Sequence, residues 1–317
     1  MPLPLPTSLS PSKVSSFKEC ALAFRFSAID RLPEPPTPLA VKGTLVHRAL
    51  ELLFWEEEPG RRSRAVAGEK LSRAAREVLD APEYAPLDLV GEARDEFVAD
   101  AALLLDNYFT LEDPDSVRVI GTELRVTVRR DRLVLRGIID RLELDDAGGL
   151  VVTDYKTGRA PSEGHEQGRL SGVHFYAFLC EELFGRRPSR VQLLHLREPT
   201  RISTVPTEQS VRGLYMQASA IWAAVERACE QDDFRPKPGP LCPSCAFQAY
   251  CPAVGGDLSL VPPPPLPGPL PADGDPPADP EWPRPVRPLR SPTTDGSSAA
   301  GPDAPGGEAG RMWAAAG

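Results

Sequence analysis

Apolar residues in the first 110 positions recur every three to four residues, which predicts amphipathic helices. Ser10 followed by Pro11 is typical of a helix N-cap and a first helical position. The first helix is expected to include Cys20, and the second to begin near Thr44 with His47 close to its start. The helices predicted from this spacing cover residues 11–24, 44–55, 62–80 and 91–109.

Beyond residue 117 the apolar period shortens to two, which predicts β-strands. The strands are expected over residues 117–129, 132–144, 150–155 and 190–196, with a turn at 145–149 and helices over 169–184 and 207–231. Helices come first, then a strand meander, then a helix, a strand and a helix. This order predicts an α/β protein with a mixed central sheet flanked by helices and a helical N-terminal region.

The C-terminal part of the chain has a different composition. Its last 66 residues contain 17 of the 37 prolines and are rich in glycine and alanine. Such a segment cannot bury enough apolar surface to offset the chain entropy that is lost on folding. We therefore expect one folded domain over residues 1–252 and a disordered tail over 253–317.

The net charge of −9 argues at first against a nucleic-acid partner, but bound divalent cations would reverse the local charge balance. Basic residues are also concentrated between positions 117 and 141, where they form a phosphate path or simply a solvated sheet face. They are Arg118, Arg125, Arg129, Arg130, Arg132, Arg136 and Arg141. The N-terminus lacks a signal-peptide pattern and no apolar run could span a membrane, so we expect a cytoplasmic protein without a membrane partner.

The segment V-V-T-D-Y-K-T-G ends a predicted strand with Asp154 and Lys156 on one face and Tyr155 on the other. A hairpin centred on Ala147 pairs residues whose numbers add to 294, which places Asp140 opposite Asp154. Two opposed carboxylates repel one another unless a cation offsets the charge, and Mg²⁺ needs only one or two protein carboxylates. The alternative to a metal site is a surface hairpin with a charged end. A lysine beside such a metal can hold the attacking water or a phosphate oxygen.

Three segments in this order, G-T-L-V-H-R-A-L-E, G-I-I-D-R-L-E and V-V-T-D-Y-K-T-G, resemble the RecB-family branch of the PD-(D/E)xK nuclease superfamily. The resemblance covers nearly all of residues 8–252 and implies a restriction-endonuclease-like core that binds Mg²⁺ or Mn²⁺. The implied metal ligands are the side chains of His47, Asp140 and Asp154 and the backbone carbonyl of Tyr155. The implied catalytic residues are Lys156, Asp140 and Asp154.

The same family often has a glutamine four residues before a tyrosine in the helix that follows D-Y-K-T-G. Tyr176 is present here, but the glutamine position is Gly172, which departs from the family pattern. The candidate substrate-binding residues are Tyr176, Arg136 and Arg141. Glu123, in the strand before the hairpin, is a candidate for a place just outside the metal ligands.

Cys242, Cys245 and Cys251 form a C-x₂-C-x₅-C array after the last long helix. Three thiolates this close favour a metal-binding loop, and their spacing alone allows either Zn²⁺ or an iron–sulfur cluster. The iron–sulfur members of the family have one early cysteine and three late ones. That resemblance implies a [4Fe–4S] cluster with Cys20 as the fourth ligand. The cluster would then link the N-terminal region to the cysteine-ligated C-terminal loop.

Together these features predict a metal-dependent DNA exonuclease or single-strand nuclease of DNA repair or recombination, acting on DNA ends or single strands. The alternative is a non-catalytic or weakly active DNA-end-binding module of a helicase–nuclease-type complex, which Gly172 motivates. An electron-transfer protein is disfavoured because it leaves the acid pair and the lysine without a role. The chain has no G-x-x-x-x-G-K-[ST] motif, so any unwinding requires a helicase partner.

Overall fold

The structure is a computed structural model that describes residues 2–159 and 166–263, with only the backbone described at 166–171 and 173. Its α-helices are α1 (Pro11–Glu19), α2 (Ala21–Phe24), α3 (Pro38–Glu56), α4 (Arg64–Leu79), α5 (Gly91–Leu111), α6 (Glu166–Phe184) and α7 (Glu208–Gln231). Its strands are β1 (Arg118–Arg130), β2 (Leu133–Leu144), β3 (Leu150–Lys156), β4 (Arg190–His195) and β5 (Thr200–Thr204). From residue 62 onward, the predicted elements agree with these bounds to within three residues. The exception is β5, which was not predicted because Ile202 is its single apolar residue.

The strands form one mixed sheet in the order β1-β2-β3-β4-β5. The pairs β1–β2, β2–β3 and β4–β5 are antiparallel, whereas β3 and β4 run parallel and are connected through α6. One core cluster packs the first two helices, α6 and α7 against the sheet, and a second packs α3, α4 and α5 against it. The predicted α/β fold, with a mixed sheet flanked by helices, is confirmed.

Two helices begin with the same signal, a hydroxyl residue followed by proline. Ser10 caps α1 and Thr37 caps α3, and each side chain accepts a hydrogen bond from a backbone N–H three residues further on. Pro38 is therefore the first residue of α3, and the predicted start at Thr44 is wrong by nearly two turns. His47 lies in the middle of this helix rather than near its start.

The first predicted helix is interrupted at Cys20. The backbone of this residue is extended, with φ −157°, and separates α1 from α2. A π-helical turn over Arg25–Ile29 follows α2. The prediction that Cys20 lies within a helix is wrong: it occupies the bend between two helices, where its sulfur accepts a hydrogen bond from the backbone N–H of Lys237 at 3.4 Å.

The β1–β2 hairpin extends beyond the rest of the sheet, because β3 pairs with β2 only at residues 141–144. Further along β2, Leu9 replaces β3 as the neighbour. Its N–H donates to the carbonyl of Val134 at 2.9 Å, and its carbonyl accepts from the N–H of Arg136 at 2.8 Å. The distal half of the hairpin is thus held by the N-terminal segment.

The C-terminal loop continues past the domain boundary expected at residue 252. The N–H of Gly256 donates to the carbonyl of Cys251 at 2.9 Å, and Val261 packs against the first core cluster. The described chain ends at residue 263, so the expected disorder of the tail beyond it lies outside the described residues.

Candidate active site

Three carboxylates occupy neighbouring positions on three adjacent strands. The paired residue numbers of the β1–β2 ladder add to 263 on both sides of Glu123, which places Glu123 beside Asp140. The paired residue numbers of the β2–β3 ladder add to 294, as predicted. The last pair of this ladder is Arg141 with Thr153, and the next position would pair Asp140 with Asp154. Regular pairing therefore ends where the acidic side chains meet, and their repulsion calls for a cation.

Glu123 has an unusual backbone conformation. Its φ of 47° lies in the left-handed region, which costs a non-glycine residue about 1–3 kcal/mol. A β-bulge between Val119 and Gly121 comes just before it. The carboxylate of Glu123 lies 3.6 Å from Nδ1 of His47. The strained backbone thus holds this carboxylate towards the other acidic groups.

Asp140 is buried, with 8% of its surface exposed. Its Oδ2 accepts a hydrogen bond from the backbone N–H of Tyr155 at 2.7 Å. The side-chain alternation of β2 is interrupted at this point, because Ile139 and Leu142, three positions apart, belong to the same core cluster. A side chain, rather than a strand carbonyl, therefore connects β2 to β3 at the site.

Gly43 allows α3 to approach the end of β3 closely. A Cβ at this position would lie 3.1 Å from Oγ1 of Thr157, which is tighter than an ordinary contact. His47 follows one turn later on the same helix face. Gly43 therefore sets the distance at which His47 reaches the strands.

His47 contacts the predicted metal ligands from two sides of its ring. Nδ1 lies 3.5 Å from Asp140, and Nε2 lies 3.1 Å from the carbonyl oxygen of Tyr155. The ligand atoms of His47, Glu123 and Asp140 all lie within 4.8 Å of one another. One imidazole nitrogen, carboxylate oxygens and a nearby carbonyl oxygen form a donor set that suits Mg²⁺ or Mn²⁺.

The electrostatics of this cluster favour positive charge. Burial lowers the pKa of His47, but the carboxylates of Asp140 and Glu123 outweigh that effect and raise the pKa to about 9. Burial raises the pKa of Asp140 above the ordinary carboxyl range, and Asp154 and Glu123 raise it further while His47 opposes them. A divalent cation would favour the carboxylate form of these acids and compete with the proton on the imidazole.

The side chain of Lys156 lies between the buried Asp154 and solvent. Its Nζ lies 2.5 Å from Oδ2 of Asp154, whose side chain is only 7% exposed, whereas the lysine side chain is 41% exposed. Tyr155 between them belongs to the second core cluster, so its side chain points away, as predicted. A lysine in this position can donate to a group that enters from solvent.

Tyr176 on α6 packs against β2 near the acids. A Cβ on Gly137 would lie 3.1 Å from the Tyr176 ring, so the glycine permits this approach. Burial raises the pKa of Tyr176, and the nearby carboxylates of Asp154 and Asp140 add to the effect. At Gly172, one turn earlier on α6, a Cβ would have no described atom within 4 Å apart from its chain neighbours and the backbone of its own helix. Tyr176 as a substrate contact stays a prediction.

A cleft of about 870 Å³ opens onto this cluster. Its walls come from α3, from the end of α4 and the turn after it, from β1 around residues 121–125, and from the end of β3. His47 and Lys156 line the cleft, as do Arg125 and Ile138 of the β1–β2 hairpin. Glu123, His47 and Lys156 are therefore accessible to a ligand, whereas Asp140 and Asp154 are buried just behind them.

Arg141 does not belong to this site. Its side chain has no exposed surface and bonds to Glu112 at 2.5 Å, to Glu143 and to the hydroxyl of Tyr155 at 2.8 Å. Its guanidinium lies 4.7 Å from the ring centre of Phe54 in the second core cluster. The prediction that Arg141 binds DNA is wrong, because a guanidinium enclosed by two carboxylates in the core cannot reach a phosphate. Arg136 is partly exposed on the hairpin, and its substrate contact stays a prediction.

The fold brings the C-terminal cysteine loop next to Cys20. Besides the bond from Lys237 to Cys20, the N–H of Gly239 donates to Sγ of Cys242 at 3.3 Å. The ring of Phe26, shortly after α2, lies 5.5 Å from that of Phe247 in the loop. The residues packed against the first core cluster include Cys20, Cys245 and Cys251.

Glu123 lies closer to the predicted metal ligands than its sequence position alone indicates. A signal for it was present in the two-residue turn at Asp131 and Arg132, which closes the β1–β2 hairpin. A hairpin with that turn pairs residues whose numbers add to 263, which places Glu123 beside Asp140. The turn at residues 145–149 places Asp154 beside Asp140 in the same way. The left-handed backbone of Glu123 had no comparable signal, since glutamate has no preference for it.

A mixed sheet with acids on adjacent strands and a lysine two residues after the last acid defines a PD-(D/E)XK nuclease core. Residues 8–252 match the family model of the PD-(D/E)XK nuclease superfamily, and the chain belongs to that superfamily. No curated protein matches the chain. None of the described helices is long and apolar enough to cross a lipid bilayer.

The solved structures that are similar to this chain include the following two. One is a candidate exonuclease from Eubacterium rectale, which is 10% identical with a TM-score of 0.44, over 75% of this chain and 86% of its own. The other is SSO0001, which is 15% identical with a TM-score of 0.32, over 67% of this chain and 84% of its own.

Proposed function

We propose that the chain is a metal-dependent deoxyribonuclease, an exonuclease or single-strand nuclease that hydrolyses phosphodiester bonds in DNA repair or recombination in the cytoplasm. The observation that carries the proposal is the convergence of His47, Glu123 and Asp140 within 4.8 Å, beside Lys156 and at the foot of an open cleft. Membership in the nuclease superfamily supports the same reaction class.

Each residue of the cluster has a role that follows from its position. Mg²⁺ or Mn²⁺ would be held by the side chains of Asp140, Asp154 and His47 and by the carbonyl of Tyr155, with Glu123 as a further carboxylate. When bound, such an ion supplies Lewis-acid polarisation of a phosphate oxygen and lowers the pKa of a coordinated water. The bond from the Tyr155 N–H to Asp140 fixes one carboxylate, and Lys156 donates to the water or to the phosphate as charge develops.

The test is a cleavage assay of end-labelled single- and double-stranded DNA with Mg²⁺ or Mn²⁺. Lys156→Ala and Asp140→Ala should abolish cleavage while circular dichroism shows that the fold persists. Asp146→Ala, in the exposed turn between β2 and β3, is the matched control and should cleave normally. Unchanged cleavage in both site variants would sink the proposal.

A second candidate function is a DNA-end-binding module with little or no turnover, acting beside a helicase partner. Gly172 favours it, because the family pattern has a glutamine there. Among the described residues no atom lies within 4 Å of a Cβ built on Gly172, so Gly172→Gln is a suitable test of this pattern. If the wild type binds DNA ends but degrades none with Mn²⁺, and Gly172→Gln restores degradation, this second function is correct.

We also propose that Cys20, Cys242, Cys245 and Cys251 hold a [4Fe–4S] cluster, with Zn²⁺ as the less favoured occupant. Four thiolates would suit such a cluster. Support comes from Lys237, five residues before Cys242, whose backbone N–H donates to Sγ of Cys20, and from Cys20, Cys245 and Cys251, which pack against the same core cluster. Anaerobic purification followed by a visible spectrum and iron and zinc analysis tests the assignment. A colourless protein that contains zinc would replace it with a zinc site.

A further inference from the structure

The distal part of the β1–β2 hairpin, named here the hairpin arm (Arg125–Ile138), has one buried and one exposed face. The buried face contributes Val126, Val128, Leu133 and Leu135 to the first core cluster. The opposite face carries Arg125, Thr127, Arg129, Val134, Arg136 and Ile138, and Arg132 lies in the turn. The single acid of the arm, Asp131, accepts a hydrogen bond from the hydroxyl of Tyr215 on α7 at 2.7 Å. The exposed face therefore has positive charge and no acid.

The structure separates the seven arginines of this region into two groups. Arg141 is buried, and Arg118 at the far end of β1 donates to the carbonyl of Asp145 at 3.3 Å. Arg130 pairs with a glutamate of α6 at 2.9 Å and stacks 4.3 Å from the ring centre of Tyr215. The remaining four all belong to the exposed face or the turn of the hairpin arm: Arg125, Arg129, Arg132 and Arg136.

The spacing and position of this face suit an extended polymer of phosphates. Alternate residues of a strand lie about 6.8 Å apart on one face, which is of the order of the phosphate spacing in an extended single strand. The face is also continuous with the site, because Arg125 and Ile138 line the cleft that contains His47 and Lys156. A strand lying along the arm would enter the cleft at its end.

We propose that the exposed face of the hairpin arm is the track on which the phosphate backbone of one nucleic-acid strand lies and is led into the cleft. The inference rests on the proposed nuclease function and names where that function recognises its substrate. Charge complementarity supports it, since this face and its turn carry four arginines in a chain of net charge −9. A cleft of about 870 Å³ is of the size that accepts a drug-sized ligand, and the terminal nucleotides of a single strand are of that size.

The test measures the affinity of the full chain for a fluorescein-labelled oligothymidylate by anisotropy, in EDTA so that no cleavage occurs, over a range of salt concentrations. The variant is the triple substitution Arg129→Gln, Arg132→Gln and Arg136→Gln. Each lost phosphate contact should reduce the slope of log affinity against log salt by about 0.7, and the triple variant should bind on the order of tenfold more weakly at low salt.

Arg130→Gln is the control for position, because it removes one positive charge from the same hairpin but from the opposite face. It should keep the wild-type slope. A triple variant that binds like the wild type, while the wild type binds and cleaves, overturns the track and leaves the nuclease function intact. A wild type that neither binds nor cleaves DNA overturns both. Tighter binding of a blunt duplex with the same loss in the triple variant overturns the single-strand assignment.

Discussion

Two charged clusters meet at strands β2 and β3, and they differ in charge balance. The closed cluster consists of Arg141, Glu112, Glu143 and Tyr155, and Arg201 lies 3.7 Å from Glu112, so that two arginines face two glutamates. The open cluster consists of His47, Glu123, Asp140, Asp154 and Lys156. In the open cluster three carboxylates share one histidine and one lysine, so negative charge is in excess.

The two clusters also differ in access to solvent. The side chain of Arg141 is completely enclosed, whereas that of Lys156 is 41% exposed and lines the cleft. Burial of charge therefore does not by itself identify a functional site in this fold. A better indicator is a cluster with an excess of one charge and an opening to solvent, because such a cluster retains the capacity to bind an ion or a substrate.

Breaking the closed cluster should produce the largest effect on stability. Arg141→Met leaves Glu112 and Glu143 buried without their cation, and we expect the free energy of unfolding to fall by about 3–5 kcal/mol. Urea unfolding followed by circular dichroism measures this. Arg129→Met, on the exposed face of β1, is the control and should change the free energy by no more than about 0.5 kcal/mol. A loss below about 1 kcal/mol for Arg141→Met would contradict a structural role.

Breaking the open cluster should affect activity rather than stability. Asp154→Asn removes a carboxylate that would bind the metal and that pairs with Lys156, so cleavage should fall by about 10²–10³-fold. The unfolding temperature should stay the same or rise, because one of three mutually repelling carboxylates loses its charge. Asp146→Asn in the exposed turn controls for the charge change. A marked loss of stability with cleavage intact would reverse the assignment of the two clusters.

Much of the open cluster could be predicted from the chain itself, because turns fix strand register. The turn centred on Ala147 correctly placed Asp140 and Asp154 at neighbouring positions, and strand alternation correctly turned Tyr155 away from them. His47 could be predicted only by family resemblance. Its contact with the strands depends on how closely α3 packs, which local spacing does not encode.

The closed cluster shows why other predictions failed. Arg141 resembled the neighbouring arginines in sequence, but alternation along β2 is interrupted between Ile139 and Leu142. Two of its partners, Glu112 and Tyr108, come from the end of α5, about 30 positions away, and no local pattern connects them to β2. Tertiary packing thus decided which arginines are structural.

The contribution of Glu112 in the closed cluster to stability should depend on pH. Burial raises the pKa of Glu112, but Arg141 outweighs this and holds the pKa below its ordinary value. Such a carboxylate stabilises the fold above its unfolded pKa of about 4.3, and this contribution is lost as the pH falls through the lower folded pKa. Glu112→Gln should therefore cost about 2 kcal/mol at pH 7, and less as the pH is lowered below about 4.

Urea unfolding of the wild type and Glu112→Gln at several pH values measures this difference. Glu96→Gln, on the exposed surface of the same helix, should show no such convergence. The pKa shift of Glu143 has the opposite effect on the pH dependence of stability. Burial raises the pKa of Glu143, so its contribution to stability is lost as the pH rises. A difference between wild type and Glu112→Gln that stays constant with pH would show that Arg141 does not hold the Glu112 charge.

The smallest expected effect concerns Tyr155, which joins the two clusters. Its hydroxyl accepts a hydrogen bond from Arg141 in the closed cluster, while its backbone N–H and carbonyl contact Asp140 and His47 in the open one. Tyr155→Phe removes only the hydroxyl, so stability should fall by about 1 kcal/mol and cleavage should change little. The Mn²⁺ concentration for half-maximal cleavage measures the coupling. If that concentration rises tenfold or more, the hydroxyl bond to Arg141 positions the metal ligands, and the closed cluster is part of the site.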